Sequence, residues 1–236
     1  MESVLNSSLR STTTTARPRP SPYVCNKTSS CGCGQTDVAL SSTRIVGGED
    51  AVDSSWPMMV SLRITETALH SCGGTIVSNS FILTAAHCFR RISTEHPVGV
   101  TIAVGMTNRS DCSREIRTVD RIILHPNFNT TGNDHRHDIA LLHIDRPLRF
   151  ESDLKVSQTC IHRPDLSKPP NEYPTSGTRL AIVGWGTLKY GTSLLPEILQ
   201  QAEVIAIDNQ YPACRTVIDD VELQFCAGLL EGGKGQ

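Results

Sequence analysis

Phe81-Ile82-Leu83-Thr84-Ala85-Ala86-His87-Cys88 runs from an apolar stretch into a histidine set between a small residue and a cysteine. Further along the chain, Asp138-Ile139-Ala140-Leu141-Leu142 opens a second apolar stretch with an aspartate. A hydroxyl is a poor nucleophile until a base takes its proton, and neutral imidazole is the side chain best suited to that near pH 7. A buried carboxylate can then hold the imidazole in one tautomer and stabilise its protonated form. His87 is the candidate base and Asp138 the candidate orienting carboxylate. A lone histidine is more often a surface or core residue than a catalyst, so the sequence around the two must carry the assignment.

Outward from these segments the pattern is of short apolar runs separated by turn residues. Val60-Ser61-Leu62, Thr75-Ile76-Val77, Phe81-Ile82-Leu83, Val100 to Val104, Val119 to Leu124 and Ile139 to Ile144 read as strands. Leu180 to Val183 and Ala202 to Ile207 continue the series, and such spacing indicates an all-β sandwich or barrel. Asp208 to Arg215 reads as a short helix capped by Asp208, despite Pro212 within it. Composition agrees: 5% aromatic residues, 17 glycines and 13 prolines suit a turn-rich β protein better than a helical bundle. Before this region, residues 1–24 are of low complexity, with a Ser/Thr run and then Arg17-Pro18-Arg19-Pro20, too poor in apolar surface to offset the entropy of ordering. They read as a disordered tail or an O-glycosylated stalk.

A formal net charge of −2 provides no electrostatic footprint for nucleic acid or an acidic membrane. Nine cysteines in 236 residues point to an oxidising compartment. Asn-x-Ser/Thr sequons at Asn6, Asn26, Asn108 and Asn129 agree with export. Met1 to Arg10 contains no apolar run of signal-peptide length, and the sequence shows no stretch long enough to span a bilayer. An extracellular, secreted location is therefore expected from the cysteines, without a visible address.

Eight motifs occur in order: Ile45-Val46-Gly47-Gly48-Glu49, Trp56-Pro57, Cys72-Gly73-Gly74, Thr84 to Cys88, His125-Pro126-Asn127-Phe128, Asp138 to Leu142, Gly184-Trp185-Gly186 and Cys226-Ala227-Gly228. Together they closely resemble the chymotrypsin/trypsin-like serine proteases. The resemblance implies two six-stranded antiparallel β-barrels with an active site in the cleft between them. A pro-region would span residues 1–44, a first barrel 45–149, a linker 150–177 and an incomplete second barrel 178–236. It implies His87 as general base and Asp138 as its orienting partner, acting on a polypeptide substrate without a cofactor. Arg44-Ile45 resembles a zymogen activation junction, cut by a trypsin-like protease, whose new Ile45 ammonium would turn inward to a carboxylate, since a buried charge needs a partner. By the same resemblance Cys72 pairs with Cys88 and Cys214 with Cys226, while Cys160 tethers the pro-region through one of Cys25, Cys31 or Cys33. Cys112 has no counterpart in the family. A monomer, met by protein inhibitors, is the expected state.

Two departures qualify these expectations. After Gly232-Gly233-Lys234 the sequence runs only through Gly235 and Gln236, and in the family's register the nucleophilic serine falls about five residues later. The chain as written is expected to hydrolyse peptides poorly and to leave sheet edges and apolar surface uncovered. Gly235 falls where trypsin-like enzymes place the carboxylate that selects Arg or Lys, which leaves basic specificity unsupported. No metal is expected: His125, His135 and His137 lack zinc spacing, and Met106 stands where calcium-binding relatives begin their ligand loop, about Met106 to Glu115. Beside the peptidase stand two alternatives, a non-catalytic homologue that binds partners and a truncated product that never folds.

Overall fold

Val60, Leu62 and Ile64 alternate with the rest of Met59–Ile64, and burial alternates along Phe81–Thr84, so an extended chain places one row of side chains inward and the other away from it. That alternation builds the core of the fold. The computed structural model describes residues 26, 28–38, 40, 48–64, 69–111, 114–131, 136–150, 155–161, 174–188, 191, 193–218 and 220–228. Ten strands occur among them: β1 (Glu49–Asp50), β2 (Met59–Ile64), β3 (His70–Ile76), β4 (Phe81–Thr84), β5 (Val100–Val104), β6 (Glu115–Leu124), β7 (Ala140–Ile144), β8 (Arg179–Gly184), β9 (Gln200–Ile207) and β10 (Cys226–Gly228).

Six of these close into an antiparallel barrel in the order β2-β3-β4-β7-β6-β5, which leaves it no free edge. Leu62, Ile76, Ile82, Ile102 and Leu142 point into it and are fully buried. Each such side chain contributes about 1.5–3 kcal/mol relative to exposure. The remaining strands form a second antiparallel sheet around β9. Along one edge β9 pairs with β8, and along the other with β1 near Gln200 and then β10 near Ile207. The fold is all-β, as expected. Each strand read from the sequence has its counterpart; β1 and β10, too short to show periodicity, do not stand out by pattern.

The two sheets meet along a seam at Thr107 and Leu199. Thr107 accepts hydrogen bonds on its carbonyl from Leu199 N–H (2.9 Å) and from Trp185 Nε1 (3.2 Å). The Trp185 ring is buried there with Ala103, Met106 and Leu199. Arg109 adds Nε to the Pro196 carbonyl at 2.7 Å. Trp56, packed against the same cluster, donates its Nε1–H to Gln201 Oε1 at 2.8 Å.

The helix expected over Asp208 to Arg215 is instead a series of turns, with a single 3-10 turn at Cys214–Thr216. Asp208 does cap locally, accepting from Gln210 N–H at 2.8 Å. Pro212 supplies no N–H and its ring crowds the preceding turn, so the helix does not propagate.

Disulfides join Cys72 to Cys88, Cys214 to Cys226 and Cys31 to Cys160. Cys33 is also disulfide-bonded, whereas Cys25 and Cys112 lie outside the described residues. The segment around Cys31 rests directly on the barrel side of the molecule. Gly32 N–H donates to the Gln158 carbonyl at 2.8 Å and Gln35 N–H to that of Ser54 at 2.9 Å. Gly34 lies so close that a Cβ would stand 2.3 Å from the Ser54 carbonyl oxygen, which leaves room for no other residue. Residues 1–24, read as a tail or stalk, are outside the described residues.

Candidate active site

Thr84 pairs with Ala140 in the antiparallel β4–β7 register. The chain leaving β4 at Thr84 and the chain entering β7 at Ala140 therefore lie side by side at one end of the barrel, which delivers His87 and Asp138 to the same place. His87 sits on the 3-10 turn Ala86–Phe89, held by the buried side chains of Ala86 and Phe89. The Cys72–Cys88 disulfide ties that turn to β3, and Thr84 Oγ1 donates to the Gly73 carbonyl at 2.7 Å.

Asp138 engages His87 with both oxygens. Oδ2 lies 2.7 Å from His87 Nδ1, and Oδ1 accepts the His87 backbone N–H at 2.7 Å. An ionised carboxylate only accepts, so Nδ1 carries the proton of this contact, and Nε2 lies 3.8 Å from Cys88 Sγ. The His87 side chain is 52% exposed and that of Asp138 17%. Burial pushes the Asp138 carboxyl up, but the hydrogen bonds from the His87 ring, the His87 backbone and Ala86 N–H, with the His87 charge, outweigh it and hold the group below its ordinary range.

The approach to Asp138 is strained. His137 adopts φ 56°, a left-handed conformation unusual for any residue but glycine, and Ile139 N–H donates back to the His137 carbonyl at 2.8 Å. The His137 ring stacks on His125 with centroids 4.6 Å apart and planes 5° from parallel. Parallel rings direct their in-plane lone pairs side by side and not at a common point, so these two do not form a chelating pair. His135 lies outside the described residues. Cys72, His87 and Cys88 bring potential ligand atoms within 4.8 Å, yet both sulfurs are consumed by the disulfide and offer no thiolate. Met106 is buried against Trp185 and supplies no hard oxygen ligand.

His87 opens onto a cleft of about 1070 Å³. Cys72, Cys88 and Asp138 line it from one side; Val183 of β8, Trp185 just past it and Leu223 in the turn before β10 also line it. His70, which sequence reasoning passed over, lines it as well. Its Nδ1 lies 2.8 Å from Ser61 Oγ and its ring meets Trp185 edge-on at 5.5 Å. Burial, then the charges of Arg109 and Arg63, lower its pKa to about 4. The available signal was its place on β3 two residues before Cys72, but a register irregularity between the two, with His70 opposite Arg63 and Cys72 opposite Leu62, hides from simple alternation which way it faces. Arg44, Ile45 and Gly235 fall outside the described residues. Just past the first two, Glu49 Oε1 accepts from Gln201 Nε2 at 3.1 Å, which attaches this stretch to β9.

Comparison with known proteins follows the same lines. The family described as Trypsin matches residues 45–236. Transmembrane protease serine 11C of Mus musculus is 32% identical over 203 residues, covering 85% of this chain and 43% of that protein. The chain thus spans less than half the length of that relative. The solved structure of neuropsin, a serine protease expressed in the limbic system of mouse brain, superposes with a TM-score of 0.63 at 24% identity, over 80% of this chain and 77% of that one. This last likeness concerns the fold.

Proposed function

Because the chain belongs to the trypsin family of serine peptidases, we propose that it is the zymogen form of an extracellular serine endopeptidase, with His87 as general base and Asp138 as its orienting partner. The observation that carries this reading is the two-point grip of Asp138 on His87, both of which line the cleft. In the proposed reaction a serine Oγ attacks the peptide carbonyl carbon while its proton passes to His87 Nε2. The tetrahedral intermediate collapses as the C–N bond breaks, and Nε2 returns the proton to the leaving amine. Water then repeats the sequence on the acyl-enzyme. In the family's register that serine would fall about five residues beyond Gln236.

Cleavage of Arg44-Ile45 would free the Ile45 ammonium, and the Cys31–Cys160 disulfide would keep the two pieces joined. Disulfides and family support an extracellular site of action. The mouse relative is described as a transmembrane protease; among the described residues no helix is long and apolar enough to cross a membrane. With Gly235 at the selectivity position, a preference for Arg or Lys at the cleaved bond has no carboxylate there to support it.

The test uses the protein expressed through its nucleophile segment, treated with trypsin and probed with a fluorophosphonate that labels activated serines. Labelling is expected after cleavage, absent in Arg44→Gln, and absent in His87→Ala. A cleaved, folded protein that takes no label would instead be a non-catalytic homologue.

A further inference from the structure

The motif His125-Pro126-Asn127-Phe128 takes no part in the chemistry above, yet its histidine is tied to the residues on both sides of Asp138. We propose that the stacked rings of His125 and His137 are positioning groups that fix the Asp138 carboxylate against His87. The inference rests on the reading of His87 and Asp138 as a catalytic pair.

Asp138 hangs between two attachments to one residue. On its amino-terminal side the His137 ring lies on that of His125, centroids 4.6 Å apart and planes 5° from parallel. On its carboxy-terminal side the Ile139 carbonyl accepts the His125 N–H at 3.1 Å. Ile139 N–H reaches back to the His137 carbonyl at 2.8 Å, which closes a tight turn with the aspartate at its apex. His125 is itself fixed. Its carbonyl accepts Phe128 N–H at 2.9 Å, and its Nδ1 accepts Asn127 N–H at 3.2 Å, which sets the plane of the ring. Phe128 is buried, with the Arg90 guanidinium 5.4 Å from its ring centroid. Arg90 N–H donates to the His87 carbonyl at 3.4 Å. The contacts thus form a circuit, from the His87 turn through Arg90, Phe128 and His125 to Asp138, whose carboxylate meets His87 again.

The backbone at His137 makes this role separable from folding. Glycine adopts φ 56° without strain, and asparagine tolerates it. What both lack is the ring. A carboxylate left free to shift loses its hold on the imidazole, and the tautomer of His87 is set by the bond its Nδ1 makes.

The test begins with the chain carrying isotope-labelled histidine, at a pH where His87 is neutral. Ring-nitrogen shifts, assigned by their loss in His87→Gln, report which nitrogen holds the proton. The parent is expected to hold it on Nδ1 alone. His137→Gly and His125→Ala, each folded by circular dichroism, should show a mixture of both neutral forms. His125→Phe, which keeps a flat ring for His137 to stack on, should return to Nδ1–H. In the cleaved, serine-bearing protein His137→Gly and His125→Ala should each lower kcat about 10- to 100-fold, while KM stays within about twofold of the parent. His125→Ala made on top of His137→Gly should add less than about twofold, because the stack is already gone. Nδ1–H retained in both His137→Gly and His125→Ala, or a loss that His125→Phe does not restore, overturns the proposal. His137→Asn repeats the measurement if the glycine variant does not fold, and unfolding of both would make the ring a folding element and overturn it too. Because the tautomer is read without hydrolysis, these outcomes stand whether or not the peptidase reading survives its own labelling test.

Discussion

His70 provides a test of the cleft wall that requires no catalysis. Its ring is pushed down from 6.5 to about 4, by burial first and then by Arg109 and Arg63. The unfolded chain takes up this proton near 6.5, so between about 4 and 6.5 the unfolded state binds more protons and stability rises with pH. The contribution of the neutral ring is complete above 6.5 and is lost as the pH falls toward 4. At about 1.4 kcal/mol per pH unit, the gap sets a ceiling of about 3 kcal/mol. The ring is only half-buried, and solvent screening reduces this to about 1–2 kcal/mol. Urea unfolding, followed by the fluorescence of Trp56 and of Trp185, whose ring meets that of His70 edge-on, would be measured from pH 7 to pH 4.5 for the parent and for His70→Gln. The parent should lose about 1–2 kcal/mol more than the variant across that range. Equal slopes, or a His70 ring seen by NMR to titrate near 6.5, would refute the account of a histidine held neutral by its setting.

Three further outcomes follow from the same geometry. Ile82 is fully buried opposite Leu142, so Ile82→Ala should cost about 2–5 kcal/mol in urea unfolding; a loss under about 1 kcal/mol would mean that the barrel core is not packed as described. Asp138→Asn in the cleaved, serine-bearing protein should lower kcat about 10,000-fold, as loss of the orienting carboxylate does in Ser-His-Asp triads generally, while leaving the fold intact by circular dichroism. Unchanged kcat would remove Asp138 from the mechanism. Cys31→Ser, once cleaved at Arg44-Ile45, should release its amino-terminal piece in denaturant without reductant, whereas the parent releases it only on reduction; release from both would show that Cys31–Cys160 is not the tether.

Much of the architecture was readable because strand formation leaves a local trace. Val100 to Val104 alternates inward and outward residues within one short window, and so does Ile139 to Ile144. The candidate pair was readable for a different reason: His87 and Asp138 sit inside motifs whose order along the chain matches a known family. Where the reading went wrong, at Asp208 to Arg215, a cap signal outweighed Pro212, and the backbone chemistry of proline prevailed. Where it fell silent, at His70, the residue's character comes from Ser61, Trp185, Arg63 and Arg109, of which Trp185 and Arg109 are far away in sequence.

The sequence by itself determined that this is an all-β chain of the trypsin kind, with a histidine and an aspartate in the expected motifs and cysteines suited to an oxidising compartment. Tertiary structure alone decided that Asp138 meets both the ring and the backbone of His87, that Cys31 is the partner of Cys160, and that His70 lines the cleft against Trp185. The division has a physical cause. Periodicity and turn chemistry act over a few neighbouring residues, whereas distance, burial and charge at a site depend on which strands close the barrel and in what register.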